Sequence, residues 1–141
     1  MATTRNATTH WEGSLLEGKG QVTLESSGKG TFDVTWASRA NEADGRTSPE
    51  ELIAAAHSSC FSMAFSSALA KNDTPPTSLD TSAAVTFQPG EGITGIHLTV
   101  KGSVPGLSAE QFAEMADAAS KNCPVSKALA GTTITLDASL S

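Results

Sequence analysis

Basic residues are scarce in this chain. Nine lysines and arginines stand against fifteen aspartates and glutamates, giving a formal net charge of −6. That balance argues against nucleic acid or an anionic membrane as partner. Cysteine is scarcer still, with only Cys60 and Cys123. No group of cysteines and histidines has ligand spacing, so neither structural zinc nor a metal held by Cys60, Cys123 and His57 is expected. The first residues, Met1-Ala2-Thr3-Thr4-Arg5-Asn6, are polar and lack the basic-then-apolar pattern of a signal peptide. A cytoplasmic location is therefore expected, where a permanent disulfide is disfavoured. Missing too are a glycine-rich phosphate loop, Gly-x-Ser-x-Gly and His-Glu-x-x-His. No cofactor is expected.

The most informative absence is local. From Leu52 to Ala70 there is no Asp, Glu, Lys or Arg. Just before this stretch stands a helix-start signal. Ser48 suits the N-cap, Pro49 the first helical position, and Glu51 lies three beyond Ser48, as a capping box requires. Asn72-Asp73-Thr74-Pro75-Pro76 should stop the helix. A helix without charge on any face is expected to be buried on all sides. Its five serines and one histidine, and the amphipathic strands that follow, argue against a membrane span.

Around this helix the pattern is of strands. His10 to Ser26 reads as a hairpin turned by Gly18 and Gly20, with Val22 and Leu24 alternating after it. Thr31–Ala37 reads as a third strand with Phe32, Val34 and Trp36 on one face. Ser38–Thr47 reads as a loop. Leu79–Phe87 and Ile93–Val100 form a second hairpin about Pro89-Gly90-Glu91-Gly92, with Ile96, Leu98 and Val100 inward. Ser108 caps a helix that turns Phe112, Met115 and Ala119 to the core. That helix breaks at Lys121-Asn122-Cys123-Pro124, and a short turn of helix restarts from Pro124 to Ala130. Thr133–Leu140 alternates as the last strand. The 141 residues fit one domain of α+β class, with antiparallel sheets and segregated helices.

The residues alone leave the chemistry open. Cys60, at the middle of an apolar helix, is either inert packing or a protected reactive thiol. Mid-helix placement does not lower a thiol pKa, so a reactive thiolate needs a cation from elsewhere. Arg39 and Arg46 are the nearest candidates in sequence. Cys123 precedes proline at a helix break and is either core or a mobile second thiol. His57, three residues before Cys60, shares its face.

Thr47-Ser48-Pro49-Glu50-Glu51-Leu52-Ile53-Ala54-Ala55-Ala56-His57-Ser58-Ser59-Cys60-Phe61-Ser62-Met63-Ala64 resembles the central helix of the OsmC/Ohr family. Lys121-Asn122-Cys123-Pro124-Val125-Ser126-Lys127-Ala128-Leu129 resembles its second cysteine motif. Trp11-x-Gly13 with Gly18-x-Gly20, Ala37-Ser38-Arg39 and the terminal strand also fit, and the wording is closer to the OsmC branch. The resemblance implies a long central helix among antiparallel sheets in an intertwined homodimer. It implies a thiol peroxidase acting on organic hydroperoxides, and on hydrogen peroxide less well. Cys60 would be the peroxidatic nucleophile, Cys123 the resolving thiol, Arg39 the cation that holds the thiolate, and Glu50 the carboxylate that orients the arginine. Phe61, Met63 and Phe65 would supply apolar walls for an alkyl hydroperoxide. The resulting Cys60–Cys123 disulfide would be reduced by an external dithiol, for related proteins a lipoyl group or another dithiol. A non-catalytic ligand-binding or redox-sensing member of the same fold is the alternative. Glu50 and Cys60 are ten residues apart on one helix, about 15 Å along its axis. If both serve one site, Glu50 comes from a second subunit across a two-fold axis.

Overall fold

Trp11 fixes the shape of the first hairpin. Strands β1 (Thr8–Glu12) and β2 (Lys19–Thr23) pair antiparallel, with Trp11 opposite Gly20. A Cβ on Gly20 would come within 2.7 Å of the Trp11 ring, and one on Gly18 within 2.9 Å. The two glycines thus make room for the indole, whose Nε1 donates to the Gly13 carbonyl at 2.9 Å. Gly13 takes the positive φ of the turn, +89°. Gly20 lies within β2 rather than in the turn, a correction to the reading from sequence. Strand β3 (Thr31–Val34) pairs antiparallel with β2 and completes a three-stranded sheet in the order β1-β2-β3.

The third strand stops at Val34, three residues earlier than its alternation suggested. Thr35 accepts from the Ser38 N–H at 3.0 Å while the Ser38 hydroxyl accepts from the Thr35 N–H, a reciprocal cap. The cap starts a short helix, α1 (Trp36–Ala40), so Trp36 is helical and the expected loop is partly helix.

Helix α2 runs from Pro49 to Lys71. Ser48 Oγ accepts from the Glu51 N–H at 3.1 Å, and Thr47, rather than the Ser48 backbone, takes up the Glu51 carboxylate at 2.6 Å. The computed structural model describes residues 1–141, and they divide into two compact units, Met1–Leu52 and Ile53–Ser141. The boundary falls in the first turn of α2.

In the second unit, β4 (Ser78–Gln88) and β5 (Gly92–Ser103) form a long antiparallel hairpin with a bulge between Thr86 and Phe87. Helices α3 (Ala109–Asn122) and α4 (Pro124–Ala128) follow, then β6 (Ile134–Leu140). Strand β6 lies beside β5 and parallel to it, Ile96 opposite Ile134 and Gly102 opposite Leu140. The sheet is therefore mixed; the intervening helices supply the crossover that a parallel pair needs. Ser108 caps α3 through a capping box with Gln111. Gly102 lets α3 approach the sheet, since a Cβ there would meet Phe112 at 2.7 Å.

The core of this unit gathers Phe61, Phe65 and Leu69 of α2, Leu98 and Val100 of β5, and Phe112, Ala116 and Ala119 of α3. The Phe65 ring lies between Phe61 and Phe112, with centroids 5.6 and 5.1 Å away. Burying each of these rings contributes about 1.5–3 kcal/mol. Burial of α2 is one-sided. His57, Phe61, Phe65 and Leu69, spaced by four, are fully buried, whereas Ala55, Ser59, Met63 and Ser67 form an exposed uncharged stripe. All-round burial, expected from the missing charges, is not found within one chain. By length and composition α2 could cross a membrane. Its packing against β5 and α3 accounts for the apolar residues of its inner face.

Candidate active site

In the second unit the chain brings its two cysteines together. Cys60 sits at the middle of α2, half-buried, and Cys123 is fully buried at the junction of α3 and α4. Pro124 cannot continue α3, so the chain breaks after Cys123 and restarts as α4. Cys123 is both the C-cap of α3, its N–H bonded to the Ala119 carbonyl at 2.9 Å, and the N-cap of α4. The Cys60 sulfur faces the Cys123 thiol and the backbone N–H of Val125. That N–H belongs to the first turn of α4, where amides have no partner within the helix.

Burial pushes the Cys60 thiol pKa up, and the Cys123 thiol pushes it the same way; the Val125 N–H acts against them. No lysine or arginine is among the groups that set it. Left to these neighbours, Cys60 is a protonated thiol at neutral pH.

His57 and Ser126 form a second contact beside the cysteines. Nε2 of the fully buried imidazole lies 2.7 Å from Ser126 Oγ of α4, and its Nδ1 is buried without a partner. Burial lowers the His57 pKa, keeping the ring neutral.

The first unit holds the arginine and the carboxylate. The Arg39 guanidinium of α1 grips Glu50 of α2 through three hydrogen bonds, from Nε at 3.1 and 3.2 Å and from Nη2 at 3.0 Å. Glu50 is 6 % exposed. A buried carboxylate needs such a partner, and the fork geometry fixes the plane of the guanidinium. Helix α1 is itself anchored: Ser38 Oγ donates to the Thr47 carbonyl at 3.0 Å and the Thr47 N–H to Asp33 at 2.9 Å. Arg46, the other candidate cation, is exposed and reaches only Asp44, its carbonyl at 3.3 Å and its carboxylate at 3.5 Å.

Phe61, Met63 and Phe65 do not come together. Phe61 and Phe65 point into the core of the second unit, fully buried. Met63 is turned about 200° from both by the helical twist and is 72 % exposed. The apolar cavity lies instead in the first unit, a cleft of about 380 Å³ lined by Trp11, Leu15, Val22, Val34, Trp36 and Leu52, with Arg39 among its walls. Sequence reading missed this cleft, although both tryptophans and the paired glycines were visible. It also missed the Ser126 contact, which joins residues 69 positions apart.

The model of the OsmC-like protein family matches residues 42–137. Peroxiredoxin OsmC of Escherichia coli (strain K12) is 42% identical over 131 residues, covering 91% of this chain and 90% of its own. Among solved structures, an organic hydroperoxide resistance protein from Elizabethkingia anophelis superposes with a TM-score of 0.75 at 23% identity, covering 100% of this chain and 99% of that one. The organic hydroperoxide resistance protein OhrB of Bacillus subtilis gives 0.65 at 24% identity, covering 96% and 98%. The two structures share the α+β fold. The family match and the identity to the Escherichia coli protein, taken with the paired cysteines, establish that the chain belongs to the OsmC-like family.

Proposed function

We propose that this protein is a thiol-dependent peroxidase that reduces organic hydroperoxides, and hydrogen peroxide less well, with Cys60 as nucleophile and Cys123 as resolving thiol. The observation that carries this reading is the juxtaposition of Cys60 and Cys123. The curated relative named a peroxiredoxin supports it. The Cys60 thiolate attacks the terminal peroxide oxygen and the O–O bond breaks. Two electrons pass from sulfur to oxygen, the leaving alkoxide takes a proton to become an alcohol, and Cys60 is left as a sulfenic acid. Cys123 displaces the hydroxyl, which departs with the thiol proton as water, and the disulfide forms. An external dithiol reduces it by exchange.

A thiolate requires a cation, and the surroundings of Cys60 in the second unit supply none. Arg39, oriented by Glu50, is our candidate, contributed by a second copy of the chain in a two-fold dimer. The uncharged exposed stripe of α2 supports an interface there. The organic part of the substrate would occupy the apolar cleft beside Arg39, its peroxide end toward the guanidinium, which donates hydrogen bonds to oxygen.

The test is peroxide consumption with dithiothreitol, comparing tert-butyl hydroperoxide with hydrogen peroxide, for the native protein, Cys60→Ser and Cys123→Ser. Turnover lost at Cys60, impaired at Cys123 and faster with the organic substrate is expected. Equal and negligible rates in all three proteins would overturn the peroxidase reading and favour a ligand-binding or redox-sensing protein.

A further inference from the structure

The two cysteines do not stand alone at the contact between α2 and the α3–α4 corner. His57 precedes Cys60 by three residues on α2, and Ser126 follows Cys123 by three on α4. Cys60 meets Cys123, and His57 meets Ser126 at 2.7 Å. The contact is therefore a ladder of two rungs, one of sulfur and one of nitrogen and oxygen, at the same spacing on both sides.

The second rung has the properties of a register lock. His57 is fully buried and Ser126 is 4 % exposed, so water does not compete for the bond. The imidazole Nδ1 has no partner, so the Ser126 hydroxyl is the only group in hydrogen-bond contact with the ring. A shift of α4 along α2 would leave the whole ring unsatisfied in the core, a penalty that confines α4 to one position. The other polar contact between α4 and α2 is the Val125 N–H facing the Cys60 sulfur. Helix α4 has five residues, too few to be stable alone, and its N-cap Cys123 makes no side-chain capping bond. The partly buried Val125 packs on the core but has no directional contact through its side chain.

Disulfide formation is demanding here. The sulfurs must close to about 2.05 Å with a narrow range of dihedral angles. Resting on the peroxidase reading above, we propose that the His57–Ser126 hydrogen bond is a positioning clasp for the resolution step. It holds the Cys123–Pro124 corner against α2, so that Cys123 is in reach when Cys60 carries a sulfenic acid. The step itself is the condensation of that sulfenic acid with the Cys123 thiol, which forms the S–S bond and releases water. His57 and Ser126 are positioning residues and exchange no proton with the thiols.

The experiment compares the native protein with Ser126→Ala and Ser126→Thr. Each is reduced, mixed with tert-butyl hydroperoxide and quenched at intervals. Mass spectrometry then follows dimedone-trapped sulfenic acid, disulfide and sulfinic acid. For Ser126→Ala we expect sulfenic acid to form within about twofold of the native rate and disulfide to form about tenfold more slowly, the scale of one buried hydrogen bond. Sulfinic acid should accumulate in excess peroxide, and Ser126→Thr, which keeps the hydroxyl, should restore the native rate. Native disulfide kinetics in Ser126→Ala, or an equal loss in both steps, overturns the clasp. Equilibration of the same proteins with glutathione measures the effective concentration of Cys123 at Cys60 without peroxide. A drop of about tenfold in Ser126→Ala supports the clasp, and no drop overturns it. Failure of the native protein to react with peroxide would overturn the peroxidase reading, while the glutathione result would still decide whether the clasp positions Cys123.

Discussion

Arg39 and Glu50 are joined by a forked set of three hydrogen bonds between α1 and the first turn of α2, the carboxylate buried and the guanidinium about one-third exposed. Such a pair presents a fixed cation, partly exposed. If it activates a thiol, the shape of the fork matters as well as its charge. Arg39→Lys should therefore lose at least about tenfold in kcat/KM despite keeping the charge, because Lys cannot match the fork. Glu50→Gln should lose a similar factor by releasing the arginine. Arg46→Ala should stay within about twofold, since Arg46 is an exposed loop residue. Equal losses at Arg39 and Arg46 would contradict the assignment.

The pH dependence follows from the direction of the Cys60 shift. Burial and the Cys123 thiol raise this pKa above the usual thiol range. The thiolate is the reactive form, so without a nearby cation the peroxide rate is lost as pH falls through that raised value. In Arg39→Ala, ultraviolet thiolate absorbance should therefore appear only above the ordinary thiol range, and the reaction rate should climb over the same interval. The native protein should show thiolate and rate already established at neutral pH. A thiolate titration unchanged by Arg39→Ala would remove Arg39 from the activation step.

His57 gives a dependence of the same sign, in stability and at lower pH. Its folded pKa lies below the ordinary histidine value, so between the two values the unfolded chain binds the extra proton. Stability is then complete above about pH 6.5 and is lost as pH falls below it toward the folded pKa. Urea midpoints measured down to about pH 5 should fall in the native protein. In His57→Gln the fall over this interval should be smaller, on a lower overall stability.

The cleft in the first unit makes a prediction about specificity. Trp11→Ala would remove one wall of it, on the strand opposite Gly20. We expect KM for cumene hydroperoxide to rise by about tenfold and the rate with hydrogen peroxide to change little, since hydrogen peroxide has no apolar part to bind. Loss of both activities in proportion would mean that Trp11 supports the fold rather than the substrate.

Which of these features could be read from the sequence depended on how local their cause was. Ile96, Leu98 and Val100 announce their strand by alternation, and Ser108 announces a helix, because both signals lie within one element. The end of β3 was misplaced because Trp36 continues the alternation, while the Thr35–Ser38 cap that stops the strand uses residues common in strands and loops alike. The direction of β6 relative to β5 is set by the α3–α4 crossover, not by anything within β6. The pairings of Cys60 with Cys123 and of Arg39 with Glu50 were legible only through the family resemblance; spacing alone suggested neither. His57 was noted for its nearness to Cys60, yet its partner is Ser126, which no periodicity links to it.

The remaining prediction concerns the face of α2 that the single chain leaves open. Ala55, Ser59, Met63 and Ser67 are exposed at a spacing of four and carry no charge, on the helix whose opposite face holds the core. Small residues let two helices approach closely, and Met63 would then be the largest group in the contact. Sedimentation equilibrium should show a dimer for the native protein. Met63→Glu should shift it toward monomer by placing a charge in the apolar contact, where burial without a partner is costly. If Arg39 acts across that contact, the dissociated variant should also lose peroxidase activity, although Cys60, Cys123, Arg39 and Glu50 are all retained. Activity should return as protein concentration is raised and dimer re-forms, which separates a site shared between subunits from a simple loss of folding. A fully active Met63→Glu monomer would refute the shared site and require each chain to activate its own thiol.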